Sequence, residues 1–308
     1  MIVNTFISDG GDIPEYTNVC LQQARKTNPD EDIRFICADN QDIFDELNIK
    51  WIPQGSIDSD LLGEFNKCCW FKRHDTPQTT YPSPELFWHR TAERIYYLEA
   101  YITDNHLDNV YHFENDVLLY GSLGLVSDSD HMMAIPMTYN KTTFAFTYIP
   151  YPEKLHSVCE YFNLILSSYG EQRLTEVLQD HVSEMSLLTM ATREGLVRSF
   201  PAIPRQDDKM VFDPGSYGQF LGGTNNGHGS GFTDPQHFIG AAIRRGELHV
   251  EFDTEPTVNG TKIFNLHIHS KIAIINISYH SVKWSYKSVY YLIYSDFIQL
   301  QSAQAKDI

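Results

Sequence analysis

Apolar residues along this chain come in two alternating textures. Two short β-branched and apolar runs, Ile2-Val3-Asn4-Thr5-Phe6-Ile7 and Ile33-Arg34-Phe35-Ile36-Cys37-Ala38, flank a stretch from Pro14 to Lys26 whose apolar positions recur at helical spacing. This predicts strand, helix, strand. The alternation resumes with a helix over Leu86 to Thr103, where Trp88, Ile95, Leu98 and Ile102 fall near one face. Apolar runs Val110–Phe113 and Val117–Tyr120 follow, then a strand over His131–Pro136 and helices over Glu153–Ser168 and Asp180–Thr192. Such alternation implies an α/β fold around a mostly parallel sheet, with ligands gathered at the carboxyl ends of the strands. Asp9, Asp39 and Asn40 stand at such ends.

Two segments break the pattern. Residues 72–85 hold three prolines and few apolar residues, so they read as a loop; 201–237 are rich in Gly, Pro and Asp and read as a long loop of the kind that binds or covers ligands. Beyond them lie strand-like runs at Glu247–Phe252 and Lys262–Ser270, then an aromatic tail, Tyr279–Leu300, with an amphipathic helical pattern. No internal repeat divides the chain. It reads as one domain, 1–308, with a loop-rich second half.

Composition narrows the chemistry. The 308 residues are 42% hydrophobic, enough for a sizeable core, and carry a formal charge of -17 from 40 acidic and 23 basic residues. That surface argues against nucleic acid as a partner, because phosphate backbones are held by clustered Lys and Arg. It leaves room for a small phosphate-bearing ligand whose charge a metal neutralises. Five cysteines without a metal-knuckle spacing read as reduced thiols. No signal peptide pattern and no membrane-length apolar run are visible, so a cytoplasmic location is expected and the sequons at Asn140, Asn259 and Asn276 carry little weight.

The most informative segment is Val110-Tyr-His-Phe-Glu-Asn-Asp-Val-Leu-Leu-Tyr120. Glu114 and Asp116 lie two residues apart where an apolar strand ends; in extended backbone both would face one way and converge on one ligand. Carboxylate oxygens suit Mg²⁺ or Mn²⁺, and carboxylates between apolar flanks are costly unless paired or bound. A second segment, Phe264-Asn265-Leu266-His267-Ile268-His269-Ser270-Lys271, alternates two histidines on a strand. Metal or phosphate contact there is about as well supported as a structural role. A third, Phe212-Asp213-Pro-Gly-Ser-Tyr-Gly-Gln-Phe-Leu-Gly-Gly223, is glycine-rich without the spacing of a dinucleotide fingerprint; a plain turn competes with sugar contact through Asp213 and Gln219. The fourth, Val182-Ser183-Glu184-Met185-Ser186-Leu187-Leu188, reads as a helix start, which Ser183 could simply cap.

Taken together, residues 86–271 resemble the GT-A glycosyltransferases. Helix, strand and Glu-Asn-Asp look like that family's helix-then-DxD region, with Glu in place of the first Asp. The resemblance implies a GT-A (Rossmann-like) mixed, mostly parallel sheet flanked by helices, with a nucleotide-binding half, 1–125, and an acceptor-side half, 126–308. It implies Mn²⁺ or Mg²⁺ held by Asp116, with Glu114 on the ribose or the ion's water shell. The site would be completed by His269 or, nearly as well, His267. Nucleotide and donor contacts would fall on Thr5, Ile7, Asp39, Asn115, Arg90, Arg94 and Lys271, and donor or acceptor sugar contacts on Gln219, Gly222 and Gly223. Glu184 would lie under the donor sugar of a retaining enzyme, and Asp213 would be the base of an inverting one. The implied partners are a UDP- or GDP-sugar and a glycan or protein-linked acceptor. A metal-dependent phosphoesterase or glycoside hydrolase, and a non-catalytic carbohydrate-binding protein, are the competing readings.

Overall fold

A computed structural model describes residues 1–8, 10–70, 87–125, 129–178, 182–222 and 238–268. The chain runs β1 (Ile2–Phe6), α1 (Glu15–Thr27), β2 (Ile33–Cys37), α2 (Asp42–Glu46), β3 (Ile49–Pro53) and α3 (Asp60–Cys68). Next come α4 (Phe87–Asp104), β4 (Val110–Phe113), β5 (Val117–Leu119), β6 (Met132–Thr138), β7 (Lys141–Ile149), α5 (Pro152–Ser168), α6 (Glu171–Leu178) and α7 (Glu184–Arg193). It continues through β8 (Val197–Ser199), β9 (Met210–Val211), α8 (Tyr217–Gly222), α9 (Phe238–Arg244), β10 (Val250–Phe252), β11 (Pro256–Val258), β12 (Thr261–Ile263) and β13 (Asn265–His267).

Seven strands form the main sheet in the order β3-β2-β1-β4-β7-β6-β8, drawing on both sides of position 125. The pairs β3-β2, β2-β1, β1-β4 and β6-β8 are parallel; β4-β7 and β7-β6 are antiparallel. The expected mixed, mostly parallel sheet flanked by helices is therefore present. The antiparallel insertion comes from β7, an almost wholly buried strand whose Lys-Thr-Thr-Phe-Ala-Phe-Thr-Tyr-Ile run lacks the polar alternation of a half-exposed strand.

Local chemistry fixes several boundaries. Pro152 opens α5, where its missing N–H costs no hydrogen bond. Ser59 caps α3 by accepting the Leu62 N–H at 3.3 Å. The sheet separates two apolar clusters: α1 packs Val19, Leu21 and Ala24 on the face of Ile2 and Phe35, while α4, α5 and α7 cover the face of Val3 and Ile36.

The second half wraps back onto the site. β13 pairs antiparallel with β5, setting His267 opposite Val117. An aromatic stack holds it there: Phe264 lies 5.1 Å from Phe146 and 4.9 Å from Phe212, and Phe212 lies 4.2 Å from Phe200, centroid to centroid. Burying each such ring contributes about 1.5–3 kcal/mol. The stack binds the two residues that immediately precede Asp213 and Asn265 to β7. Within the segment expected to be loop, 201–237, the structure finds β9 and α8. The helix expected at Asp180–Thr192 begins at Glu184. The aromatic tail lies outside the described residues.

Candidate metal and donor site

Glu114, Asn115 and Asp116 do not continue β4 as extended backbone. They turn: the Glu114 carbonyl accepts the Val117 N–H at 3.0 Å, and the Glu114 N–H donates to the Ala145 carbonyl at 2.9 Å. The two carboxylates converge because of this tight turn, not because of strand alternation. β7 anchors its first residue and β13 its last, since the Ile268 N–H donates to the Asp116 carbonyl at 3.0 Å.

Onto this turn β13 delivers His267. Its Nε2 stands 3.1 Å from Oε2 of Glu114 and 3.3 Å from Oδ1 of Asp116. Each of these three residues offers a ligand atom within 4.8 Å of the others. Two hard carboxylate oxygens and an imidazole nitrogen form a donor set that suits Mn²⁺ or Mg²⁺ with positions left for phosphate oxygens. Of the two histidines weighed from the sequence, the structure brings His267 to the acidic pair; His269 lies outside the described residues, as do Lys271, Gly223 and Asp9.

The charges are strongly coupled. Burial works against ionisation of Glu114, but Arg94 and His267 outweigh it and hold the carboxyl below its usual range. Burial likewise opposes protonation of His267, but Asp116 and Glu114 overcome it and hold the imidazolium up to about 9. In the metal-free chain, a proton on His267 thus bridges the two carboxylates.

Arg94, on the buried face of α4, donates from Nη2 to Glu114 Oε1 and sits 6.0 Å over the ring of Phe144. It also faces Glu184, whose carboxyl is pushed up by burial, pulled down by Arg94 and pushed up again by Glu114. Glu184 is the first residue of α7, only 4% exposed, and its Oε2 accepts the Thr91 hydroxyl at 3.1 Å. A carboxylate suits the positive end of a helix. The helix start is closed by Ser186, whose hydroxyl accepts the Ser183 N–H at 2.8 Å. Arg90 instead pairs with Glu93 at 2.6 Å along α4.

Where β1 and β4 end, the Thr5 carbonyl accepts from Asn115 Nδ2 at 3.1 Å. Thr5 Oγ1 and Asn115 Oδ1 are buried without a hydrogen-bond partner among the described residues. The exposed Asp39 accepts the Gly11 N–H at 2.7 Å, tying the loop after β2 to the loop after β1. Ile7 is 4% exposed and packs into the apolar cluster under α4, so its side chain is core.

Asp213 occupies a different position from the one expected of a base. It is fully buried, and its Oδ1 accepts the N–H groups of Gly215, Ser216 and Tyr217 at 2.9, 2.7 and 2.9 Å. Its Oδ2 accepts those of Gly218 and His267 at 2.7 and 3.0 Å. With both oxygens committed to backbone, Asp213 fastens the frame and offers nothing to an acceptor hydroxyl. Gln219, on α8, is 3% exposed, and Gly222 ends that helix.

Three contributors escaped the sequence reading. Thr91 meets Glu184. Asn265 locks onto Asp213 in both directions, accepting its N–H at 3.1 Å and donating to its carbonyl at 3.0 Å. His112, beside the acidic turn, is pushed down to about 3, by burial first and by Arg94 second, so it is neutral; its Nδ1–H donates to the Val3 carbonyl at 3.1 Å. A polar residue within an otherwise apolar strand, as in Val-Tyr-His-Phe and Phe-Asn-Leu-His, was the available signal.

No protein-family model and no curated protein sequence matches the chain. Among solved structures it is similar to the galactosyltransferase LgtC, at 16% identity over 77% of this chain and 81% of that one, with a TM-score of 0.38. It is also similar to mouse xyloside xylosyltransferase 1, at 8% identity over 65% and 84% of the two chains, TM-score 0.44. A third is the glycosyltransferase GlyE of Streptococcus pneumoniae TIGR4, at 12% identity over 96% and 63%, TM-score 0.45. Each is a likeness of backbone at 8–16% sequence identity.

Proposed function

We propose that this chain is a divalent-metal-dependent glycosyltransferase that moves a sugar from a nucleoside diphosphate to a hydroxyl acceptor, with retention at the anomeric carbon. The observation that carries the reading is the convergence of Glu114, Asp116 and His267 at the carboxyl end of β4. In an α/β sheet, that is where a phosphate-bearing ligand is expected.

In the reaction, the bond from the anomeric carbon to the β-phosphate oxygen breaks and a bond to the acceptor oxygen forms. The nucleoside diphosphate leaves with the electron pair, and its departing β-phosphate oxygen takes the proton that the acceptor hydroxyl gives up. A bound Mn²⁺ or Mg²⁺ would supply charge neutralisation for the departing diphosphate. Asp116, Glu114 and His267 would hold that ion, His267 by giving up the proton that otherwise bridges the carboxylates. Arg94 keeps Glu114 ionised and aimed. Glu184, held by Thr91 and facing Arg94, is placed to stabilise positive charge developing on the sugar. The unpartnered Thr5 Oγ1 and Asn115 Oδ1 support donor contacts at the ends of β1 and β4.

The test is a thermal-shift scan of the chain with Mn²⁺ and each nucleoside diphosphate, followed by incubation with the matching nucleotide sugar and candidate acceptors. Metal-dependent stabilisation by one diphosphate, and product that appears only with acceptor, are expected. Rapid release of free sugar or phosphate without acceptor would assign the site to hydrolysis instead. Diphosphate binding with no turnover on any acceptor would assign it to binding alone.

A further inference from the structure

We propose that Asp213 is the positioning residue for the histidine of the metal site, so that one buried carboxylate sets both the glycine-rich turn and the third metal ligand. The inference rests on the metal-site reading above and goes beyond it in naming what holds His267 in place. Asp213 Oδ2 takes the His267 N–H at 3.0 Å and the Gly218 N–H at 2.7 Å, so the same oxygen fixes β13 and the start of α8. Its Oδ1 gathers the N–H groups of Gly215, Ser216 and Tyr217, and the turn they form passes through φ +111° at Gly215, a conformation glycine adopts without strain. The approach is close enough to demand glycine again at 218. A Cβ there would lie 2.3 Å from the His267 carbonyl oxygen and 2.9 Å from Asp213 Oδ2.

His267 therefore has its N–H held by Asp213, its carbonyl packed on Gly218 and its ring aimed at Glu114 and Asp116. Its peptide can shift only if the 213–218 turn shifts with it. Outer partners that orient a metal ligand typically matter by about 10- to 100-fold in metal affinity. Asp213 differs from the usual outer partner in acting on the ligand's backbone rather than on its second ring nitrogen.

The experiment is a double-mutant cycle read by Mn²⁺ electron paramagnetic resonance titration of the full chain, without substrate. Asp213→Asn keeps the side chain's shape but turns one acceptor oxygen into an NH₂ that faces backbone N–H groups. It is expected to loosen Mn²⁺ by about 10- to 100-fold, while adding no further loss in a His267→Ala background. Equal losses in both backgrounds would overturn the proposal, since Asp213 would then act on the fold at large. Wild-type Mn²⁺ affinity in Asp213→Asn would overturn it as well. If His267→Ala itself binds Mn²⁺ like wild type, the metal-site reading fails, an outcome the cycle separates from failure of this inference. Should Asp213→Asn not fold, Gly218→Ala presses on the His267 carbonyl while leaving the carboxylate in place. The same non-additivity with His267→Ala is expected there, and additivity would overturn the proposal.

Discussion

His267 and Asp116 meet at 3.3 Å, although 151 positions separate them along the chain (267 − 116). Their backbones meet too, through the hydrogen bond from the Ile268 N–H to the Asp116 carbonyl. The acidic turn and the last described strand thus form one unit. A change in either residue should be felt at the other.

Asp116→Asn tests the carboxylate directly. Its charge is expected to matter for metal far more than for packing, because the asparagine retains the shape and Glu114 remains to pair with His267. Turnover should fall below detection and Mn²⁺ titrations should lose their tight phase, with the circular dichroism spectrum unchanged. Near-normal turnover at saturating Mn²⁺ would remove Asp116 from the ligand set.

His267 gives a pH signature in the metal-free chain. Its folded pKa of about 9 exceeds the ordinary histidine value of about 6.5, so the folded state holds the proton more tightly than the unfolded one. The stabilisation is fully present below pH about 6.5 and is lost as pH rises through about 9, with an upper bound of about 3–4 kcal/mol. Urea melts of wild type between pH 6 and 8, below the range where unfolded thiols ionise, should show the start of that decline, and His267→Ala should flatten it there. A flat wild-type profile would place the proton elsewhere.

How much of this was legible in the sequence depends on how far each partner lies along the chain. The Glu114–Asp116 pair and the buried runs around it are local, so the pattern of apolar flanks exposed them. The helix before them and the strand ending at His267 were also local features. The role of β7 was not legible, because a run buried on both faces shows no alternation to read. Nor was the task of Asp213 visible. A carboxylate in a glycine-rich turn looks like a ligand contact until the N–H groups around it are counted, and one of those belongs to His267, far along the chain. Arg94 was expected at the nucleotide, and its pairing with Glu114 joins residues on two separate elements that no spacing rule connects.

Gly121→Ala probes the seam between β5 and β13. A Cβ at 121 would lie 2.1 Å from the Phe264 ring, which is wedged among Phe146 and Phe212 and has no exposed side toward which to move. Overpacking of this kind costs about 1–3 kcal/mol. A lower urea midpoint is expected, together with weaker Mn²⁺ binding, because Phe264 leads directly into Asn265 and His267. An unchanged midpoint would show that the aromatic stack yields at no cost.

Glu184→Gln separates donor chemistry from metal binding and bears on stereochemistry. Glu184 is not among the three residues that converge on the acidic turn, so its neutral isostere should leave Mn²⁺ affinity near wild type. If its charge stabilises the developing cation on the sugar, kcat should fall by about 100-fold or more, with little change in KM for the donor. An inverting enzyme would instead need a carboxylate base free to face the acceptor. Asp213 was the candidate, and its oxygens are committed to five backbone N–H groups. Retention is the outcome expected of the proposed reaction, read by proton NMR of the first-formed product before mutarotation. A product anomer opposite to the donor's, combined with a Glu184→Gln variant of normal kcat, would remove Glu184 from the donor site and require a base from another part of the chain.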